Sequence, residues 1–261
     1  MESKLIFDNG ATYERYMGVW SQLAGETFLE WLTPKPGLRW LDVGCGNGAF
    51  TELLAARCAP AALEGIDPAE GQLAFARARP VARLARFTLG DAMALPHGDD
   101  TFDAAVMPLV IFFVPVPAKG VAEMVRVVGS GGTVAAYAWD MNGGGFPYEL
   151  LHAELRAMGE VVPVAPQPNA SRLDVMQDYW TDAGLAAVET RVIKVQRTFA
   201  SFDDYWTTIL GAPSAGATLA KMTPADLARL QARMRHLLPA DATGRITCSA
   251  RANAVKGSVP G

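Results

Sequence analysis

Arg39-Trp40-Leu41-Asp42-Val43-Gly44-Cys45-Gly46-Asn47-Gly48-Ala49-Phe50 changes character twice within a short span. Trp40, Leu41 and Val43 make the short apolar run of a buried strand. Gly44, Gly46 and Gly48 break that run, and Phe50, Leu53, Leu54 and Cys58 continue it at helical spacing. The order is strand, glycine turn, helix. Glycines let the backbone approach a ligand closely and take up positive φ. The start of the helix offers free N–H groups.

Such a turn suits a nucleotide, and its details discriminate between nucleotides. The spacing is G-x-G-x-G, whereas a dinucleotide fingerprint wants G-x-G-x-x-G with its pyrophosphate on the helix N-terminus. Asp42, two residues before the first glycine, would repel a pyrophosphate and attract a cation. The run Leu41 to Gly48 closely resembles the first motif of class I S-adenosylmethionine-dependent methyltransferases. S-adenosyl-L-methionine carries an ammonium and a sulfonium but no phosphate, in keeping with that acid. The resemblance implies a Rossmann-like, doubly wound α/β fold, with a seven-stranded, mostly parallel sheet whose last strand is antiparallel. It also implies S-adenosyl-L-methionine as cofactor, S-adenosyl-L-homocysteine as product, and Asp42, Gly44, Cys45, Gly46 and Gly48 as part of the cofactor site.

At 261 residues the chain suits one large α/β domain or a domain with an insertion. Half the residues are hydrophobic and 19% are charged, so a sizeable core can be buried. A net charge of −4 gives no basic footprint for nucleic acid. Cys45, Cys58 and Cys248 are too few and too scattered for a disulfide framework or a zinc site, so no metal is expected. No apolar run reaches membrane-spanning length and the N-terminus lacks a secretory pattern, so the expectation is a cytoplasmic protein with no membrane partner.

Outward from the glycines, residues 1–36 read as an N-terminal helical cap. Tyr13, Tyr16, Met17, Trp20 and Leu23 share a helical face that Phe28, Trp31 and Leu32 continue, which predicts two amphipathic helices ending at Thr33-Pro34. This stripe serves either as core packing or, as the resemblance implies, as a cover in which Tyr13, Tyr16 and Trp20 face ligand. Ala62 to Asp67 reads as the second strand, with Pro68 at a helix N1 position and Gln72 on the helix. Asp67 lies about 20 residues beyond the glycines, where a βαβ unit sets an acid against ribose hydroxyls; the alternative is an acid that caps the next helix. In the family's pattern Gln72 takes the place of a methionine against the adenine.

Ala85 to Leu89 reads as a third strand. Gly90-Asp91-Ala92 then resembles the family's adenine loop, which implies Asp91 accepting from the adenine amino group and Ala92 N–H reaching a ring nitrogen; the alternative is that Asp91 caps a short turn. Ala104 to Met107 is a fourth strand, and Met107 to Val114 leaves the sheet as an apolar pocket floor. His97 reads as a lone surface-loop histidine. Val121, Met124, Val125 and Val128 mark a helix, and Gly131 to Tyr137 a fifth strand. It closes on Trp139 and Asp140 at the sheet's carboxyl edge, where ligands of open α/β sheets bind. Leu151, Leu155 and Met158 mark another helix, and Ser171 starts one that ends near Gly184.

Val188 to Val195 is a sixth strand, and Ile246 to Ala254 alternates as a last one. The core therefore covers 37–200 and 241–261. Residues 201–240 between them form a helical insertion, with helix starts at Ser201 and Thr223-Pro224 and a linker from Gly211 to Gly216. The resemblance implies a substrate lid there, with Tyr205 and Trp206 against substrate or packed in the lid's own core.

The implied reaction is methyl transfer to a small-molecule acceptor by in-line displacement. A general base is needed only if the acceptor is not already ionised. His152 and His236 could serve or could simply be packed or solvated, and no catalytic residue is assigned. Met107-Pro108-Leu109-Val110 stands where amino-directed DNA methyltransferases carry an Asn/Asp-Pro-Pro-aromatic motif, and no Pro-Cys pair exists for attack on a pyrimidine. Tyr16, Trp20, Phe112, Phe113, Trp139 and Trp206 are candidate pocket aromatics. Two other readings stay open: a non-catalytic S-adenosylmethionine-binding protein and a nicotinamide-dependent oxidoreductase.

Overall fold

The computed structural model describes residues 14–210 and 215–261. A π-helical turn, Glu14–Gly18, runs directly into α1 (Val19–Leu32). Then follow β1 (Arg39–Val43), α2 (Ala49–Cys58), β2 (Ala62–Asp67), α3 (Glu70–Ala78), β3 (Arg86–Leu89), β4 (Phe102–Pro108), α4 (Pro117–Val127) and β5 (Val128–Trp139). The second part comprises α5 (Glu149–Ala157), α6 (Leu173–Asp182), β6 (Ala186–Phe199), α7 (Phe202–Leu210), α8 (Ala215–Leu219), α9 (Pro224–Leu237) and β7 (Ile246–Ser258).

The sheet order is β3-β2-β1-β4-β5-β7-β6. The first five strands pair in parallel, and β7 is antiparallel to both β5 and β6. This is the sheet expected from the sequence. Strands β1 and β4 are buried on both faces, as a parallel sheet covered by helices requires. The strand order reverses between β1 and β4, with β2 and β3 on one side and β5 on the other. Beyond the carboxyl ends of these strands lies the crevice where such sheets bind ligands.

Three local expectations change. The N-terminal aromatic stripe forms one continuous run rather than two helices among the described residues. Gly25 does not break it, because a Cβ there would stand 2.8 Å from Leu53 Cδ2, so glycine is what lets α1 lie close to α2. Pro68 is not at N1: α3 begins at Glu70 with Ala69 as N-cap, and the Asp67 carboxylate takes the Ala69 N–H at 2.8 Å. Ser171 ends a 3-10 turn, Pro168–Ser171, and α6 starts at Leu173.

The insertion is capped as its sequence indicates. Ser201 Oγ accepts from Asp204 N–H and Asp204 in turn accepts from Ala200 N–H, both at 3.1 Å. Thr223 Oγ1 accepts from Asp226 N–H with Pro224 in the first turn of α9. Of the linker, residues 211–214 lie outside the described residues.

Candidate functional site

A cavity of about 890 Å³ opens at the carboxyl ends of β1, β2, β4 and β5. Its floor is the glycine turn. Gly44 and Cys45 both donate to Ile66 O, at 2.8 and 3.0 Å, which ties the turn to the end of β2. Gly44 has φ +74° and a Cβ there would fall 2.5 Å from Val110 Cγ2, so the position demands glycine twice over. Gly48 faces the other way, onto Ala76 and Phe87, and acts as a close-packing point rather than as a cavity wall.

Two acids stand on this floor. Asp42 is fully buried, and its Oδ2 accepts from Thr51 Oγ1 at 2.6 Å. Its Oδ1 accepts no hydrogen bond among the described residues. Burial pushes the Asp42 pKa up to about 7, the Thr51 hydroxyl only partly offsetting it. Asp67 bridges the turn: one oxygen takes Gly46 N–H at 2.9 Å and the other takes Ala69 N–H at 2.8 Å. Burial raises its pKa as well, against the pull of those two N–H groups. Cys45 also lines the cavity; burial pushes its thiol up, which keeps it neutral and unreactive.

Pro68 and Gln72 stand on the same wall as Asp67. Across from them the chain leaves β4 through Pro108, Leu109 and Val110. Leu109 holds φ +61°, an uncommon value for a side chain with a branched γ-carbon, and donates to Tyr137 O at 2.7 Å. Phe50 and Tyr137 close the back, and Asn47 takes the Ala49 N–H at 3.2 Å as α2 begins. No Lys, Arg or His lies on the wall among the described residues.

Of the residues picked out by sequence, Asp42, Gly44, Cys45, Gly46, Asp67, Pro68 and Gln72 meet around this one cavity. Asp91, Ala92 and Met107 are not among its lining residues. Asp91 is exposed, with Oδ1 accepting from Met93 N–H at 2.8 Å. Met107 is wholly buried and points toward Gly120 on α4. The pocket floor therefore starts one residue later than expected, because alternation along β4 sends Met107 to the helix side.

The aromatic expectations need correction. Tyr16, Trp20, Trp139 and Trp206 are all buried and none lines the cavity; Tyr13 lies outside the described residues. Tyr16 stacks on Tyr148 with ring centroids 4.2 Å apart. Trp20 Nε1 donates to Tyr148 Oη at 3.1 Å, and that hydroxyl donates to Tyr16 O at 2.7 Å. Tyr205 and Trp206 extend the cluster through Phe202. The N-terminal helical run does reach the cavity, but through Gly18 and Ser21 on its other face. Their small, polar character gave no signal in the sequence.

The histidines lie elsewhere. His97 is no surface-loop residue: its Nε2 lies 3.1 Å from Glu64 Oε1 and its ring meets the Phe102 ring edge-on, which ties the loop after β3 to the sheet. His152 stacks on Phe146, and burial pushes its pKa down to about 4. His236 is exposed on α9.

Comparison with known proteins places this geometry. Residues 41–136 match the family described as a methyltransferase domain. A demethylmenaquinone methyltransferase of Symbiobacterium thermophilum is 39% identical over 103 residues, covering 38% of this chain and 41% of that protein. The chain thus spans about two fifths of the length of that curated relative. Among solved structures, the YcgJ protein of Bacillus subtilis superposes with a TM-score of 0.61 at 17% identity, over 91% of this chain and 98% of the other. Phosphoethanolamine N-methyltransferase 2 of Haemonchus contortus, solved with S-adenosyl-L-methionine, gives 0.59 at 16% identity, over 96% of this chain and 56% of that one. At these identities the two structures speak for the fold.

Proposed function

We propose, starting from the match of residues 41–136 to the methyltransferase-domain family, that this protein transfers the methyl group of S-adenosyl-L-methionine to a small-molecule acceptor and releases S-adenosyl-L-homocysteine. One observation carries the cofactor part of this reading. The cavity floor presents two carboxylates, and no cationic side chain lines its walls among the described residues. A pyrophosphate would be repelled there, whereas a cation would relieve the cost of burying the unpartnered Asp42 oxygen.

The residues present fit such a group. Gly44 and Gly46 leave backbone where a Cβ would intrude or strain, and Asp67 retains lone pairs beyond the two N–H groups it accepts, enough for ribose hydroxyls. Gln72 and Pro68 form the wall beyond it. Asp91 and Ala92 lie in the loop after β3, and the adenine end is proposed for them, while Met107 supports the floor from behind. When bound, the cofactor supplies a methyl group on a cationic sulfur with a neutral thioether as leaving group.

What the chain adds is alignment and dryness. Leu109, Val110, Phe113 and the strap from Val161 to Pro166 form the apolar side of the cavity, opposite the acids. Holding two reactants in line there is a proximity effect that can supply several kcal/mol, of the order of the ~7–11 kcal/mol known for well-oriented pairs. Among the described residues the wall offers the acceptor neither histidine nor lysine as a base, which suits a nucleophile that enters ionised or with a free lone pair.

Incubation of the purified protein with S-adenosyl-L-methionine and a panel of phenol, enol, thiol and amine acceptors tests this directly. Acceptor-dependent release of S-adenosyl-L-homocysteine is expected. Tight cofactor binding without release on any acceptor would instead mark a non-catalytic binder.

A further inference from the structure

The apolar side of the cavity continues outward to side chains that face solvent. Val161 and Val164 line the cavity yet remain 85% and 68% exposed, and Phe113, also on the lining, is 41% exposed. Large apolar side chains left facing solvent at the mouth of a pocket mark a ligand-binding surface more often than an accident of folding. Val162 and Ala165, each directly after one of these valines, are buried and anchor the strap. Pro163 and Pro166 restrict its backbone and remove two N–H groups that would need water.

The strap is also fastened at both ends. Gln167 N–H donates to Phe112 O at 3.0 Å, and Gln167 Nε2 donates to Pro115 O at 3.2 Å, which holds the strap against the turn bearing Phe113. At its start, Val161 O accepts from Thr218 Oγ1 of α8 at 3.4 Å. Strap and turn are therefore held together as one apolar edge of the mouth. The volume beneath, about 890 Å³, lies near the top of the ~300–1,000 Å³ usual for small-molecule sites, which leaves room for a second molecule beside a nucleoside.

We infer that the strap from Val161 to Pro166, with Phe113 on the turn beside it, is the acceptor-recognition wall, and that the acceptor has an extended apolar body lying along them with its nucleophile turned inward. This rests on the methyl-transfer reading and names its substrate class. The carboxylates sit at the floor and, among the described residues, no other charged side chain lines the cavity, so recognition of the acceptor's outer part comes from buried apolar area.

The test uses 4-alkylphenols with side chains of increasing length, titrated into the protein saturated with S-adenosyl-L-homocysteine. Affinity should rise about three- to fourfold per added methylene, as transfer from water to an apolar surface dictates. V161D/V164D should flatten that series while its affinity for S-adenosyl-L-homocysteine stays within twofold of wild type; V161L/V164L should keep the slope. A flat series in the wild type, or an unchanged slope in V161D/V164D, would overturn the acceptor wall and leave methyl transfer standing. Failure of the wild type to bind S-adenosyl-L-homocysteine at all would remove the methyl-transfer reading and the wall with it.

Discussion

The cavity floor and the aromatic cluster behind it were built by different rules. On the side of β1 and β2, the working atoms belong to backbone or to acids within a few residues of a glycine. Register does the rest: Asp42 pairs with Gly65 and Val43 with Ile66, which brings the end of β1 beside Asp67. On the side of α1, α5 and α7, aromatic side chains meet across large sequence distances, as Tyr148 and Tyr16 do, 132 residues apart. The first group faces the cavity, whereas the second is packed away from it as a clasp between the N-terminal helix and the helical insertion. Aromatic residues at helical spacing thus serve the core here, while small residues serve the site.

Substitutions can break this contrast, and the largest effect is expected in the clasp. W20A removes a fully buried indole and the hydrogen bond to Tyr148. It should cost ~3–5 kcal/mol of stability in urea unfolding, with cofactor affinity in the folded protein essentially unchanged. A collapse of affinity with stability intact would move Trp20 to the site.

G44A is the converse case. Positive φ at a residue with a Cβ and crowding by Val110 together amount to ~2–5 kcal/mol. The loss should appear chiefly as cofactor affinity reduced by at least ~30-fold in calorimetry.

D42N sharpens the electrostatic half. Asp42 has a pKa near 7 when folded, against the ordinary carboxylate range near 4 when unfolded. A raised carboxyl contributes stability that is complete below about pH 4 and is lost as pH rises through about 7. Without ligand, the wild type should therefore fall behind D42N by a few kcal/mol across that window, read as urea midpoints at each pH. Parallel profiles for the two proteins would show that Asp42 is not the group responsible. The smallest effect belongs to D67A, which should weaken cofactor binding by ~1–3 kcal/mol through hydrogen bonds lost to ribose and within the turn.

The contrast also explains what the sequence disclosed. Strand, glycine turn and acid are local patterns, so β1 to β5, Asp42 and Asp67 could be read from neighbours in the chain. The antiparallel last strand was legible from its alternation and from the family resemblance. Gly18, Ser21 and the strap were missed because a helix face or an irregular proline-rich segment becomes a wall only through tertiary packing. Met107 was misplaced by a single residue, since period-two alternation sends adjacent side chains to opposite faces. Tyr16, Trp139 and Trp206 carried a true signal of burial that could not say which interior they belonged to.

The claim that most needs a direct answer is that two acids over a glycine turn select a cationic nucleoside thioether over a phosphorylated dinucleotide. Calorimetric titration of the full chain with S-adenosyl-L-methionine and, separately, with NADH answers it. Binding of the first in the micromolar range, with no heat from the second, is the result expected. Binding of NADH with S-adenosyl-L-methionine silent would contradict it.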